Sequence, residues 1–364
     1  MRAAVLFRYN QPLEIRDDID IENPKENEVM IKVKACGLCH SDLNVFLGFT
    51  PIEPPVIAGH EILGEVIKVG KNVSRVREGD IVVVSFIQPC GKCRNCIAGL
   101  ENLCENFIKN RLKGVMLDGT SRLRFRDGRE LRMFMGGGFA EYVIVHENAV
   151  NKIPNDLNPN EELAILGCAG LTAYGAVVNT AKVKAGESTA VIGAGGVGLS
   201  IVQMLSAIGA GEIIVIDIYN WKLKKALELG ATHIINAKEG NTIERVKEIS
   251  DGGVDIVFEV AGTLETIRMA TELVRIGGKV IQVGIPPANQ EIPLKIAHLL
   301  RNGIRILTAH GGRPRIDMPK LFAMVRSKRY DPAKLISSKY KLEDINQAIE
   351  NLKKGEILRS LIKP

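Results

Sequence analysis

The chain has 364 residues, 46% of them apolar and 25% charged, with 48 basic against 42 acidic residues and a net charge of +6. That is enough apolar material for two ordinary globular domains. The modest charge excess, without an aromatic–basic platform, excludes a nucleic-acid-binding role, and no apolar run is long enough to span a bilayer.

The N-terminal stretch MRAAVLFRYNQPLEIRDD lacks the apolar core of a secretory signal, which places the expected location in the cytoplasm. Seven cysteines, an odd number without a secretion signal, argue against a disulfide framework. Abundant Ile, Lys and Glu with little Gln is the composition of a thermophilic source.

Up to about residue 85, short β-branched runs (Val29–Val33, Ile62–Val69, Asp80–Val84) alternate with glycine and proline. This predicts a small antiparallel, barrel-like domain. Cys90, Cys93, Cys96 and Cys104 follow as C-x2-C-x2-C-x7-C. Four thiolates fill a tetrahedral zinc sphere and leave no open position, so this lobe reads as structural. Its irregular, glycine-broken sequence is expected to depend on the metal for its shape. A redox C-x-x-C normally opens a helix in a different sheet context. Residues 105–138 read as a long loop ending in Gly136-Gly137-Gly138. Its arginines 122, 124, 126, 129 and 132 are interrupted by Asp127 and Glu130, the pattern of a solvated, salt-bridged surface.

Cys39, His60 and Cys168 are scattered, each inside a short glycine-bearing turn. Three such ligands with an open fourth position are what zinc uses for chemistry. Cys36 is left over and reads as a small buried apolar residue.

From Leu171 the pattern changes. Strands at Thr189–Ile192, Ile213–Asp217, His233–Ile235, Asp255–Val260 and Lys279–Val283 alternate with helical stretches at Val197–Ile208, Trp221–Leu229 and Leu264–Val274. Strands spaced by helices of this length predict a parallel sheet with right-handed crossovers. Between the first strand and its helix lies Gly193-Ala-Gly195-Gly196-Val197-Gly198. Gly193 permits the turn, Gly195 lets backbone approach a pyrophosphate, and Gly198 lets helix and strand pack closely. Asp217, 19 residues after Gly198, ends the next strand, where an acid binds the ribose hydroxyls of NAD and disfavours the 2′-phosphate of NADP.

Taken together, Ala35–Asp42 (ACGLCHSD), Gly59-His60-Glu61, the four-cysteine lobe, Met116–Arg122 (MLDGTSR), Gly167–Thr172 (GCAGLT), Gly193–Gly198 and Val283–Pro287 (VGIPP) resemble the zinc-dependent medium-chain alcohol dehydrogenases. The resemblance spans essentially the whole chain. It implies a GroES-like antiparallel β-barrel catalytic domain over 1–169 with its zinc lobe at 88–106. A Rossmann NAD-binding domain follows over 170–309, and 310–364 return to the catalytic domain.

It also implies roles. Cys39, His60 and Cys168 hold a catalytic zinc, with Glu61 as the nearby acid and Asp42 accepting from the other ring nitrogen of His60. Ser41 takes the alcohol proton. Asn44 stands where several relatives carry a relay histidine, so the proton must leave through water or the cofactor ribose. The cofactor positions fall on His40, Thr172, Gly193, Gly195, Gly196, Val197, Gly198, Asp217, Lys222, Val283, Ile285 and Arg359, with His40 and Arg359 at the pyrophosphate. Phe86, Ile285 and Ala309 line the substrate pocket.

The implied activity is reversible, zinc-dependent oxidation of primary or secondary alcohols by hydride transfer to NAD, with two zinc ions per chain and a homo-oligomer, a dimer rather than a tetramer, as the assembly. The alternatives are a relative acting on a polyol, amino alcohol or thiol adduct, or one that binds NAD and zinc without turnover. Cys168 argues against the polyol branch, which resemblance gives a glutamate there. Thr50 and Ile108, where the glutathione-adduct branch carries an acid and an arginine, argue against that branch.

Overall fold

The computed structural model describes residues 1–287 and 290–364. In it the eleven-residue strand Glu28–Leu38 is the backbone of the first half. Its first four and last four residues are all buried, and it alternates only in the middle, where Lys32 and Lys34 are exposed between buried neighbours. It lies inside a seven-stranded sheet in the order Val150–Lys152, Ile81–Val84, Glu61–Val69, Glu28–Leu38, Arg359–Lys363, Ile336–Lys341, and Tyr142–His146 also pairs with it. Both Glu61–Val69 and Arg359–Lys363 run antiparallel to it. The C-terminal end of the central strand therefore lies beside the first residues of two neighbours.

A six-stranded sheet, in the order Glu14–Arg16, Ala3–Leu6, Val56–Ile57, Glu130–Met133, Leu123–Phe125, Ile19–Ile21, completes this unit. One apolar core, including Leu6, Ile19, Ile31, Val56, Phe125, Phe139 and Ile362, fills it. The unit comprises Met1–Leu171, Arg313–Arg326 and Pro332–Pro364.

The second unit, Thr172–Gly312 with Ser327–Asp331, holds a six-stranded sheet. Its order is His233–Asn236, Ile213–Asp217, Thr189–Ile192, Val254–Glu259, Val274–Gln282, Arg305–Thr308, and every pairing is parallel. Numbered within the unit, that is 3-2-1-4-5-6, the doubly wound dinucleotide-binding topology. The alternation of strands and helices read from Leu171 onward is realised, and an additional helix, Thr242–Ile249, precedes the fourth strand. No single helix among the described residues is long and apolar enough to cross a membrane.

Residues 105–138 depart from the expected loop. They contain the helix Glu105–Arg111 and the strands Leu123–Phe125 and Glu130–Met133. Four of the arginines are partly or well exposed and pair with acids: Arg124 with Glu22, Arg126 with Asp20, Arg129 with Asp127 and Arg132 with Glu53. Arg122 is different. It is 1% exposed and grips Glu28 through Nε and Nη2 at 2.9 and 2.6 Å, with Asp118 at 2.7 Å from Nη2. A charge run read as solvated thus conceals one buried, bidentate ion pair. Removing one partner of such a pair strands the other charge. Arg122→Ala should cost about 3 kcal/mol or more, while Arg124→Ala should change stability by less than about 1 kcal/mol. Urea unfolding of the two variants beside wild type checks the contrast.

Candidate metal centre and dinucleotide site

The chain leaves the central strand at Leu38, and Cys39 caps the short helix His40–Phe46. Asp42, fully buried in that helix, organises what surrounds it. One carboxylate oxygen accepts the Cys39 N–H at 2.9 Å, and the other accepts the Gly59 N–H at 3.0 Å and faces His60 Nδ1 at 3.0 Å. With Nδ1–H donating to Asp42, Nε2 is left with its lone pair for a metal. The His60 ring is held edge-on between Phe86 and Phe134, at centroid distances of 6.1 and 5.4 Å.

Glu61 enters from the neighbouring strand, paired in register with Gly37. A Cβ on Gly37 would fall inside van der Waals contact of the Glu61 carboxylate, so only glycine leaves room for that side chain. Cys168 arrives from the helical turn Glu161–Gly167. The Gly167 carbonyl accepts the Phe86 N–H at 3.1 Å, which pins this turn just beyond the end of strand Ile81–Val84. The ligand atoms of Cys39, His60, Glu61 and Cys168 all lie within 4.8 Å of one another, and all four residues are buried.

The electrostatics are those of a site made for a cation. Hydrogen bonding to Cys168 shifts Cys39 well below the ordinary thiol range, with Arg359 helping against the cost of burial. The same bond pushes Cys168 up. Burial opposes a charge on His60, but Asp42 and Cys39 outweigh it and raise its pKa. Burial pushes Glu61 up to about 7. Its Oε2 is buried without a hydrogen-bond partner among the described residues. Two thiols, an imidazole and an orphaned carboxylate oxygen form a donor set that suits zinc.

Arg359 lies beside the ligand cluster. It begins the strand on the other side of the central one and is 3% exposed. Nε donates to Glu61 at 3.3 Å, Nη2 to Cys39 Sγ at 3.3 Å and Nη1 to the Leu358 carbonyl at 3.2 Å. Nε and Nη2 thus engage two residues of the ligand cluster while Nη1 stays on the backbone, and the Arg359 charge balances the ligand acids.

The other four cysteines gather separately. Cys90, Cys93, Cys96 and Cys104 have their sulfurs within 4.8 Å of one another and form no disulfide. Cys93 and Cys104 sulfurs are 4.0 Å apart, about twice a disulfide bond. Four convergent thiols fit a closed zinc site. The lobe is more regular than expected, with a helical turn at Arg94–Ile97 and a 3-10 turn at Glu101–Leu103. Buried Glu101 ties it to Arg315 at 2.7 Å. Cys36 is fully buried in the apolar core.

In the second unit the glycine run has the shape needed to cradle phosphate. Gly193 has φ of +101°. Around Gly195, which caps the helix Gly196–Ile208, a Cβ would meet nothing within 4 Å, whereas on Gly198 it would strike the Gly193 carbonyl at 1.9 Å. Open space at one glycine and close packing at the other, before first-turn N–H groups with no intrahelical partner, fit a pyrophosphate. Asp217 Oδ2 accepts the Ala194 N–H at 2.7 Å and Oδ1 accepts those of Ile218 and Tyr219, which fixes the fingerprint turn to the end of the next strand. Lys222 lies over the Tyr219 and Trp221 rings. Thr172 is buried in the helix Ala169–Tyr174, and Gly196, Val197 and Val283 stand at the C-terminal edge of the sheet.

Ile285 is 70% exposed, Ala309 is buried, and His40 is exposed on the first turn of its helix. Sequence reasoning missed Gly37, Phe134 and Glu259. Gly37 had a signal in the C-G-L-C run, where a small residue precedes a ligand, but the clash it avoids comes from a residue 24 positions away.

Two family descriptions match the chain: Alcohol dehydrogenase GroES-like domain over residues 25–155 and Zinc-binding dehydrogenase over residues 196–327. The chain is 38% identical to S-(hydroxymethyl)glutathione dehydrogenase of Synechocystis sp., over 99% of both chains. It is also 38% identical to alcohol dehydrogenase class-3 of Drosophila melanogaster, over 100% of this chain and 97% of that one. Among solved structures, benzyl alcohol dehydrogenase from Acinetobacter calcoaceticus superposes with a TM-score of 0.93 at 33% identity, covering 100% of this chain and 98% of that one.

Asp42 touches two ligand-bearing turns at once, so its loss should loosen the metal without removing a ligand. Asp42→Ala is expected to weaken zinc binding about 10- to 100-fold, read by competition with a chelator. Ser74→Ala, a substitution outside this cluster, should leave the zinc affinity unchanged.

Proposed function

The chain belongs to the zinc-dependent medium-chain dehydrogenase/reductase superfamily, and on that basis we propose that it oxidises primary or secondary alcohols to aldehydes or ketones, reversibly, with NAD as hydride acceptor. The observation that carries the reading is the buried cluster of Cys39, His60, Glu61 and Cys168. Its donor set is that of a zinc site with an exchangeable position rather than a closed one.

Cys39, His60 and Cys168 would hold the catalytic zinc, and Cys90, Cys93, Cys96 and Cys104 a second, structural one. Bound there, zinc supplies Lewis acidity that lowers the pKa of an alcohol hydroxyl, and NAD supplies the hydride acceptor. The protein's own groups do the rest. Asp42 fixes the tautomer and orientation of His60 through their 3.0 Å contact. Glu61, with one oxygen on Arg359 and the other unpartnered, would offer a further carboxylate oxygen to a bound zinc. Arg359 neutralises that acid and the Cys39 sulfur.

Ser41, on the first turn of the helix His40–Phe46, takes the alcohol proton. Asn44, one turn further on the same helix, does not titrate, so the proton is passed to water or to the cofactor ribose. Asp217 favours NAD over NADP because a carboxylate repels a 2′-phosphate. The buried Phe86, edge-on to His60, presents an apolar surface beside the ligand cluster and favours an aliphatic or aromatic alcohol.

The test is NADH formation with a series of primary, secondary and aromatic alcohols, polyols and S-(hydroxymethyl)glutathione, before and after chelation and zinc return. Turnover of simple alcohols that vanishes with chelation and recovers with zinc is the expected result. Cys168→Ser should lower kcat/KM by at least about a thousand-fold, since the metal contributes several kcal/mol to the transition state. Faster turnover of the glutathione adduct than of any simple alcohol would overturn the substrate class. Absence of NADH with every alcohol would overturn the activity.

A further inference from the structure

The fourth strand of the parallel sheet, Val254–Glu259, ends in a carboxylate that the functional reading does not use. Glu259 is fully buried. Its Oε1 accepts the Gly262 N–H and the Thr266 hydroxyl, each at 2.8 Å, and its Oε2 accepts the Gln282 amide at 2.6 Å. Its backbone carbonyl accepts two more N–H groups, from Val283 and Gly284, at 2.9 Å each. Gln282 is its register partner on the fifth strand, Val274–Gln282, and donates in turn to the Gly284 carbonyl at 2.6 Å.

One residue thus ties together the loops that leave two adjacent strands. The loops meet backbone to backbone: a Cβ on Gly284 would fall 2.4 Å from the Gly262 nitrogen and 2.8 Å from Glu259 Oε2, and one on Gly262 would fall 3.0 Å from the Ile285 nitrogen. A buried carboxylate costs several kcal/mol unless its lone pairs are satisfied. A neutral turn residue would have fixed a loop more cheaply, so the arrangement points to a demand for position at this edge.

That edge has an assigned use in this topology. In a doubly wound sheet ordered 3-2-1-4-5-6, a dinucleotide lies across the C-terminal ends of the strands, one mononucleotide on each half of the sheet. Gly193–Gly198 and Asp217 belong to strands 1 and 2 and serve the adenosine half. The loops after strands 4 and 5, at Gly262 and Val283–Ile285, then face the nicotinamide half.

We propose that Glu259 is a positioning residue for the nicotinamide half of the cofactor, holding the Gly262 and Val283–Ile285 loops in one conformation through Gln282 and Thr266. This rests on the reading of NAD as the cofactor. Glu259 touches neither cofactor nor substrate; it acts through the loops. In Glu259→Gln, one carboxylate oxygen becomes an amide that points its hydrogens at existing donors, either Gly262 and Thr266 or the Gln282 amide.

The experiment compares binding of NAD and of ADP-ribose, which lacks the nicotinamide, to the zinc-loaded full chain by calorimetry. Wild type, Glu259→Gln and the milder Thr266→Val are measured, with thermal melting alongside. The expected result is a rise in the NAD Kd of about tenfold for Glu259→Gln, as for loss of a hydrogen bond to a charged group, with the ADP-ribose Kd within about twofold of wild type. Thr266→Val should shift the same ratio in the same direction by a smaller factor, and it stands as the test if Glu259→Gln fails to fold. An unchanged ratio of NAD to ADP-ribose affinity, whatever the melting temperature does, would overturn the proposal and leave the cofactor reading standing. Failure of wild type to bind NAD would overturn both.

Discussion

The Asp42 carboxylate, buried and accepting from the Cys39 and Gly59 backbones while it faces His60, is the interaction on which the metal centre depends. Cys39 follows the end of the central strand and His60 precedes the start of its antiparallel neighbour. Without a common acceptor these are two loose turns at a sheet edge. With it they form a fixed corner, and Cys168, held by the Gly167 carbonyl to Phe86, closes the third side. Antiparallel pairing on both flanks of Glu28–Leu38 also delivers Glu61 from one side and Arg359 from the other. The site is therefore a property of sheet topology as much as of ligand identity.

Much of this was legible in the sequence because the signals are local. The four-cysteine spacing, the strand–glycine–helix run at 189–208 and the alternation beyond Leu171 each fit within a short window. The ligand trio gave a weaker signal, three residues in separate glycine-bearing turns, and the resemblance to a family added their joint role, since nothing local connects Cys39 with Cys168 across 129 positions. Arg359 shows what the sequence reading left out. The strand it begins sets the guanidinium beside Glu61 and Cys39, contacts that no local sequence signal connects. Arg122 shows the same limit for charge patterning. Five similar arginines look alike in sequence, and only the strand Glu28–Leu38, which brings Glu28 to one of them, decides which is buried.

Buried charge occurs in both units, in different forms. Arg122 with Glu28, Arg359 with Glu61 and Glu101 with Arg315 are all largely enclosed, and Glu259 is satisfied by amides and a hydroxyl rather than by a cation. Such groups add little net stability, because desolvation offsets attraction. What they supply is a single geometry. In the first unit that geometry is a ligand cluster with one carboxylate oxygen left unpartnered. In the second it is the C-terminal edge of a parallel sheet, where the loops after two adjacent strands meet.

The two zinc sites proposed for this chain differ in kind, one closed by four thiolates and one with an exchangeable position. Elemental analysis of the purified protein, with cobalt substitution to read coordination by visible absorption, tests it most directly. Two metal ions per chain are predicted, with only the ion at Cys39, His60 and Cys168 changing its spectrum when an alcohol or a competing anion is added. One ion per chain, or two whose spectra are equally indifferent to added ligand, would contradict the account.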